Sequence, residues 1–358
     1  MKAIAIGVVM AMAMSGVSTS VAAAAEPNAA LKQLIADANK EGRIELQWGA
    51  GNMGGSEGGA SFEKAMNQKF GTDIRIRWTP GPSQPEVASA VIVSNAAGQA
   101  PPTDAYLGTT SYLVLLSGKN VLKTVDWHGL MPERIDPGMV EANGAAVRIF
   151  TTLPGGIIYN VNLAPKPPTS LADLLKPEWK GKLASTPYAA SFDLLGADDV
   201  WGRERTLDYA RALSQQIAGV IRCTDGERVA SGEFVAFAMD CTGRDWVTYQ
   251  KKGAPINHVV PSDFAAQRYY YLGIPKNSVH PNAATLFALF VLTPEGQSIM
   301  WTLDHFDLHS FPDSGMHGVV QAYVDRGMKF KEFSIDWARK HPDIDAVETE
   351  AAKILTKR

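Results

Sequence analysis

Apolar positions recur every three to four residues over 29–41, where Leu31, Leu34, Ile35 and Ala38 share one face. This spacing predicts an amphipathic helix, ended by Gly42. Ile44, Leu46 and Trp48 then alternate with polar residues, as along a strand. A glycine-rich stretch follows at 49–59. Helical spacing returns over 60–70 through Phe62, Ala65, Met66 and Phe70. A strand over 73–78, a helix near 86–97 and a short strand over 104–107 continue the rhythm. Strands alternating with helices predict a largely parallel α/β sheet covered on both faces. Further along, 155–182 reads as a turn, a short apolar strand, a loop capped by an asparagine, a proline-rich link and a helix. Thr169 or Ser170 caps that helix, Asp173 sits in its first turn, and Pro177 stops it.

The first 25 residues break this pattern. Lys2 is their only charge, an apolar run covers 3–14, and small residues end at Ala23-Ala24-Ala25. That is the layout of a cleaved secretory signal. The run is too short to span a bilayer, and no later stretch of ~18 apolar residues exists. A soluble exported protein is expected, in the periplasm if the source has two membranes. Loss of the signal removes Lys2 and takes the net charge from −3 to −4. A weakly acidic chain offers no general basic surface for nucleic acid. With 46% hydrophobic residues over 358 positions, two lobes are expected in place of a single core. Cys223 and Cys241 are the only cysteines. An oxidising compartment favours a disulfide between them, and two thiols lack further partners at metal-ligand spacing.

The stretch 155–182 also resembles the extracellular solute-binding proteins of ABC importers, in the branch of ferric-ion and polyamine binders. The resemblance rests on Gly156, Tyr159, Asn160, then Asp173-Leu174-Leu175, Pro177 and Trp179-Lys180-Gly181-Lys182. A second run matches the family's closing pattern, with Pro281-Asn282-Ala283-Ala284, Phe287 and Thr293-Pro294-Glu295-Gly296-Gln297. The resemblance implies a two-lobed periplasmic binding fold of type II, each lobe a mostly parallel sheet flanked by helices. It places lobe 1 at 26–150 plus 262–358, including C-terminal helices packed outside the lobes, and lobe 2 at 151–261. Two crossings are expected, near 148–153 and 260–266, with the ligand between the lobes. Ligands of open α/β sheets sit beyond the carboxyl ends of strands, where helix N-termini point free N–H groups.

Four loops have the required place between strand and helix. The first carries Gly51, Asn52 and Ser56, with six glycines among residues 49–59; it forms either an anion-binding concavity or a plain surface loop. The second offers Thr109 and Thr110, as ligand contacts or helix caps. The third offers Thr186, Tyr188 and Ser191, a place where the family commonly contributes hydroxyls. The fourth carries Arg244, suited to a two-point grip on a carboxylate or phosphonate, or to an ion pair with Asp240 or Asp245. Ferric binders of the family hold iron with adjacent tyrosines in this fourth region; here Arg244-Asp245-Trp246 stands instead. Tyr269-Tyr270-Tyr271 comes later, and strand alternation points Tyr269 and Tyr271 one way and Tyr270 the other. Tyr269 is taken as a ligand contact, and the three together as the alternative metal set. The seven histidines show no metalloenzyme spacing, and no G-x-S-x-G elbow occurs. The expectation is a monomeric solute-binding protein with no cofactor, delivering a small polar, anionic organic solute to a membrane permease. A ferric complex is the alternative; a two-lobed enzyme or a receptor's sensing partner is the alternative of another class.

Overall fold

The structure is a computed structural model that describes residues 27–49, 51–244 and 246–357. The expected signal, 1–25, lies outside the described residues. Elements follow in chain order: α1 (Ala29–Glu41), β1 (Arg43–Gly49), α2 (Gly55–Phe70), β2 (Arg75–Gly81), α3 (Gln84–Ala96), β3 (Tyr106–Thr109), α4 (Thr110–Gly118) and α5 (Trp127–Leu130). Then come β4 (Val140–Glu141), β5 (Ala146–Thr152), β6 (Ile157–Asn160), β7 (Leu183–Ser185), α6 (Phe192–Leu195), α7 (Arg203–Ser214), β8 (Ile217–Val220), α8 (Glu227–Ala230) and β9 (Ala236–Ala238). The chain closes with α9 (Val247–Lys251), β10 (Ile256–Val259), β11 (Ala266–Gly273), α10 (Pro281–Val291), α11 (Pro294–Asp304), α12 (Gly315–Val324), β12 (Lys331–Phe333), α13 (Ile335–Lys340) and α14 (Ile344–Thr356).

Two sheet systems form, one per lobe. In the first lobe β12-β11-β5-β4 are ordered side by side, with β3 also on β11. The parallel pair β1-β2 joins this system through Asp104, whose N–H donates to Glu45 O and whose carboxylate accepts from Glu45 N, both at 2.8 Å. The second lobe is β10-β6-β9-β7-β8. Parallel pairing holds at β1-β2, β9-β7-β8 and β11-β12, but β11 runs antiparallel to β3 and β5, and β6 antiparallel to β9 and β10. The sheets are therefore mixed, with fewer parallel pairs than the mostly parallel sheets expected. The reason is the crossing: the chain leaves the first lobe along β5 and comes back along β11, and such a return is antiparallel.

Three local expectations change. Helix α2 starts at Gly55, so half of the glycine-rich stretch is helical. A Cβ on Gly58 would stand 1.8 Å from Met53 O, so the first turn of α2 closes against the preceding 3₁₀ turn only with glycine there. Second, 169–180 holds two 3₁₀ turns, Ala172–Leu175 and Pro177–Trp179, and no α-helix. The Asp173 carboxylate accepts from Thr169 N, Ser170 N and the Thr169 hydroxyl, while Pro177 leaves Lys176 extended, so only one turn fits. Third, α14 does not pack outside the lobes or with the first one. Its stripe of Ile344, Val347, Ala351 and Leu355 is buried with Phe192, Leu195, Leu207 and Leu213 of the second lobe. An apolar stripe at helical spacing needs a partner face, and α6 and α7 supply it.

Candidate functional site

Strand β11 floors the space between the lobes. Arg268 and Tyr270 stand on one face; Tyr269 and Tyr271 are buried on the other, with Arg148 lying 4.0 Å over the Tyr269 ring and the Tyr271 hydroxyl donating to Glu141 at 3.1 Å. The three tyrosines therefore do not converge, and the alternative metal set does not form. Tyr269, taken as a ligand contact, faces away from the cleft, while Tyr270 lines it, stacked on Phe150 with ring centres 4.4 Å apart. Alternation along β11 was sound; the choice between its two faces was not readable without knowing which one meets the other lobe.

Two cavities lie along the cleft face. The smaller, about 380 Å³, is lined by Gly49, Gly51, Asn52, Thr152, Tyr270 and Asp304 from the first lobe and by Thr224, Thr242, Arg244 and Thr248 from the second. Arg244 is half-buried, its Nε donates to His305 O at 3.3 Å, and its side chain lies over Trp301. Burial lowers its pKa to about 10, so it stays charged at neutral pH. No ion pair with Asp240 forms: that carboxylate is buried and accepts from Gly156 N and Gly243 N at 3.0 and 2.8 Å. The terminal nitrogens of Arg244 meet no hydrogen-bond partner among the described residues. Asp304 accepts from Gly54 N at 3.1 Å, and burial pushes its carboxyl up to about 6.

The larger cavity, about 1220 Å³, is lined by Ser83 and Thr109 of the first lobe, Tyr188 and Asp193 of the second, Arg268 of β11, and Asp345 and Glu348 of α14. Arg268 donates to Asp193 at 2.7 Å across the lobes. The Cys223–Cys241 disulfide is present, joining the segment after β8 to the loop that carries Arg244. The Tyr188 hydroxyl accepts from Cys223 N at 3.2 Å and lies 3.6 Å from Cys241 Sγ, so bridge and cavity wall are one unit.

Of the expected site residues, Gly51, Asn52 and Arg244 meet in the smaller cavity, and Thr109 and Tyr188 line the larger. Ser56 sits exposed on α2 and lines neither. Thr110, Thr186 and Ser191 are buried in structural bonds: Thr110 donates to Phe333 O, Thr186 accepts from Ala190 N, and Ser191 donates to Asp240 O. Hydroxyls after a strand satisfy local backbone as readily as a ligand. Arg268, Asp193, Asp304, Asp345 and Glu348 also line these cavities and were not singled out in the sequence. Arg268 had a signal, being two residues before Tyr270 on one strand; the α14 acids had none, because nothing local places that helix at the cleft.

The profile of bacterial extracellular solute-binding proteins matches residues 59–325. The chain belongs to that family. No curated protein matches it. Solved structures similar to this solute-binding protein include the spermidine/putrescine ABC transporter substrate-binding protein PotD of Streptococcus pneumoniae, at 15% identity and TM-score 0.62, covering 87% of this chain and 99% of that one. Iron-bound HitA of Pseudomonas aeruginosa is 19% identical, with TM-score 0.60 over 88% and 97% of the two chains. The periplasmic binding protein AfuA of Actinobacillus pleuropneumoniae, with fructose-6-phosphate bound, is 19% identical, with TM-score 0.57 over 87% and 96%. These likenesses establish the two-lobed type II periplasmic binding fold for the solute-binding protein.

Proposed function

We propose that this protein is the periplasmic capture component of an ABC importer and that it holds a small organic anion in the cleft floored by β11. One observation carries the reading: the charged, half-buried Arg244 lines a cavity with its terminal nitrogens unmatched among the described residues, amid Asn52, Thr152, Thr242 and Tyr270. A guanidinium so placed suits a two-point grip on a carboxylate or phosphonate, with hydroxyls to take up the remaining oxygens. The structural relatives named for polyamine, iron and sugar phosphate support a solute role without choosing among solutes. The tyrosines diverge, which weighs against an iron site of tyrosine type. The protein acts as a monomer without catalysis or nucleic acid, after removal of residues 1–25. We place lobe 1 at 27–152 plus 266–333, and lobe 2 at 153–265 plus 334–357. Solute bridging the lobes stabilises the closed form, which the permease recognises.

A thermal-shift panel of carboxylic acids, phosphonic acids, polyamines and ferric citrate tests this, since a solute bound only by the folded form raises its melting point. An acid is expected to stabilise the protein. Calorimetry on Arg244→Ala should then show binding weakened by about 1.5–3 kcal/mol, the worth of a charged hydrogen bond. Undiminished affinity would take Arg244 out of the site.

A further inference from the structure

The end of the cleft away from Arg244 is acidic. Carboxylate oxygens of Asp193, Asp345 and Glu348 lie within 4.8 Å of one another on the wall of the larger cavity. Like charges so close repel, and burial adds to the cost. Arg268 hydrogen-bonds only Oδ2 of Asp193 and attracts Asp345 and Glu348 through space alone. Asp193 is 6% exposed, and its enclosed Oδ1 finds no hydrogen-bond donor among the described residues. Among the described residues neither Asp345 nor Glu348 is in an ion pair, and Lys353, on the same wall, pairs with none of the three. Buried polar atoms are normally matched, so an unmatched one beside two further carboxylates suits a cationic donor.

From this we infer that the solute is zwitterionic, its ammonium held by Asp193, Asp345 and Glu348 while its acidic group lies on Arg244; the inference rests on the anionic reading given above. An ammonium is favoured over a metal ion. Three N–H donors at about 2.8 Å in tetrahedral array reach oxygens roughly 4.6 Å apart, which suits this spacing. Calcium asks for six to eight oxygens at about 2.3–2.6 Å, and here the Arg268 guanidinium already occupies one side. Arg268 on the wall of the larger cavity and Tyr270 on that of the smaller stand about 7 Å apart on one face of β11, so the two cavities are neighbours along that strand. A flexible chain of several methylenes between ammonium and acid would span them. Burial and the two neighbouring acids push Glu348 up to about 8, so seating the ammonium expels a proton at neutral pH. The groups facing Glu348 in that exchange are Asp193, Arg268, Asp345 and Tyr112.

The test is calorimetry with ω-amino acids and ω-aminoalkylphosphonates of two to six methylenes, each against the same acid without its amine. At one chain length or more, the amine should tighten binding at least tenfold. The Asp345→Asn/Glu348→Gln variant should abolish that gain. Both substitutions relieve repulsion, so the variant is expected to fold. Equal binding of amine and plain acid at every length, or a gain that survives in the variant, overturns the inference while leaving Arg244 as an anion site. A variant-sensitive response to calcium or manganese alone, with no amine gain, assigns the cluster to a metal and overturns it too. If no acid binds, with or without an amine, the anionic reading falls and takes the inference with it.

Discussion

Asp304 shows how a single carboxylate in this cleft trades stability for placement. It fixes the Gly54 turn at the start of α2 and lines the smaller cavity, yet its buried carboxyl titrates near 6 instead of the ordinary 3.8. A folded pKa above the unfolded one means the folded state binds more protons between those values. The Asp304 contribution to stability is therefore fully present below pH ~4 and is lost as pH rises towards 6, by about 2–3 kcal/mol at most. Asp304→Asn keeps an acceptor for Gly54 N and removes the charge. Chemical denaturation should find it more stable than the parent at pH 7.5, the gap closing towards pH 4; a gap that ignores pH would refute the account. Single residues were unevenly legible in the sequence. Arg244, Asn52 and Gly51, singled out because their types suit a ligand after a strand, do line one cavity. Thr110, Thr186 and Ser191 looked the same and proved structural, since the direction of a short hydroxyl is set by neighbours far along the chain.

Among elements, those with strong periodicity were read well. Helix α1 ends at Gly42 in a left-handed cap, and β1 buries Ile44, Leu46 and Trp48. Boundaries failed where a close approach overrode spacing, as at Gly58, and where a side chain claimed the backbone, as at Asp173. The disulfide was legible from compartment and count, but its task was not: it ties two cleft loops and, through Tyr188, the wall of the larger cavity. Closing a loop of 18 residues is worth about 3 kcal/mol by chain entropy. Replacing both cysteines with serine should lower stability by about that much in urea titrations and weaken acid binding through a looser Arg244 loop. Unchanged binding with lost stability would confine the bridge to a stabilising role.

For the whole molecule, the sequence told of two lobes because strand–helix alternation and two long motifs survive in order. It did not tell which lobe owns the last helix, since an amphipathic stripe names no partner. If the cleft works by closure, a stabilising acid should shrink the radius of gyration in solution scattering. The Arg268–Asp193 pair, a strand of one lobe to a helix of the other, already reaches across. An unaltered scattering curve with saturating acid would argue for a rigid cleft.

The route of the final segment bears on that motion. Strand β12 pairs with β11 in the first lobe, and α14 then buries its stripe in the second. The polypeptide thus passes the joint a third time, after the exits at β5 and β10. Three tethers resist sideways shear and twist better than two, so the halves are confined to a narrow arc, and a dye on α14 would ride with the second half as a passenger reporting its swing.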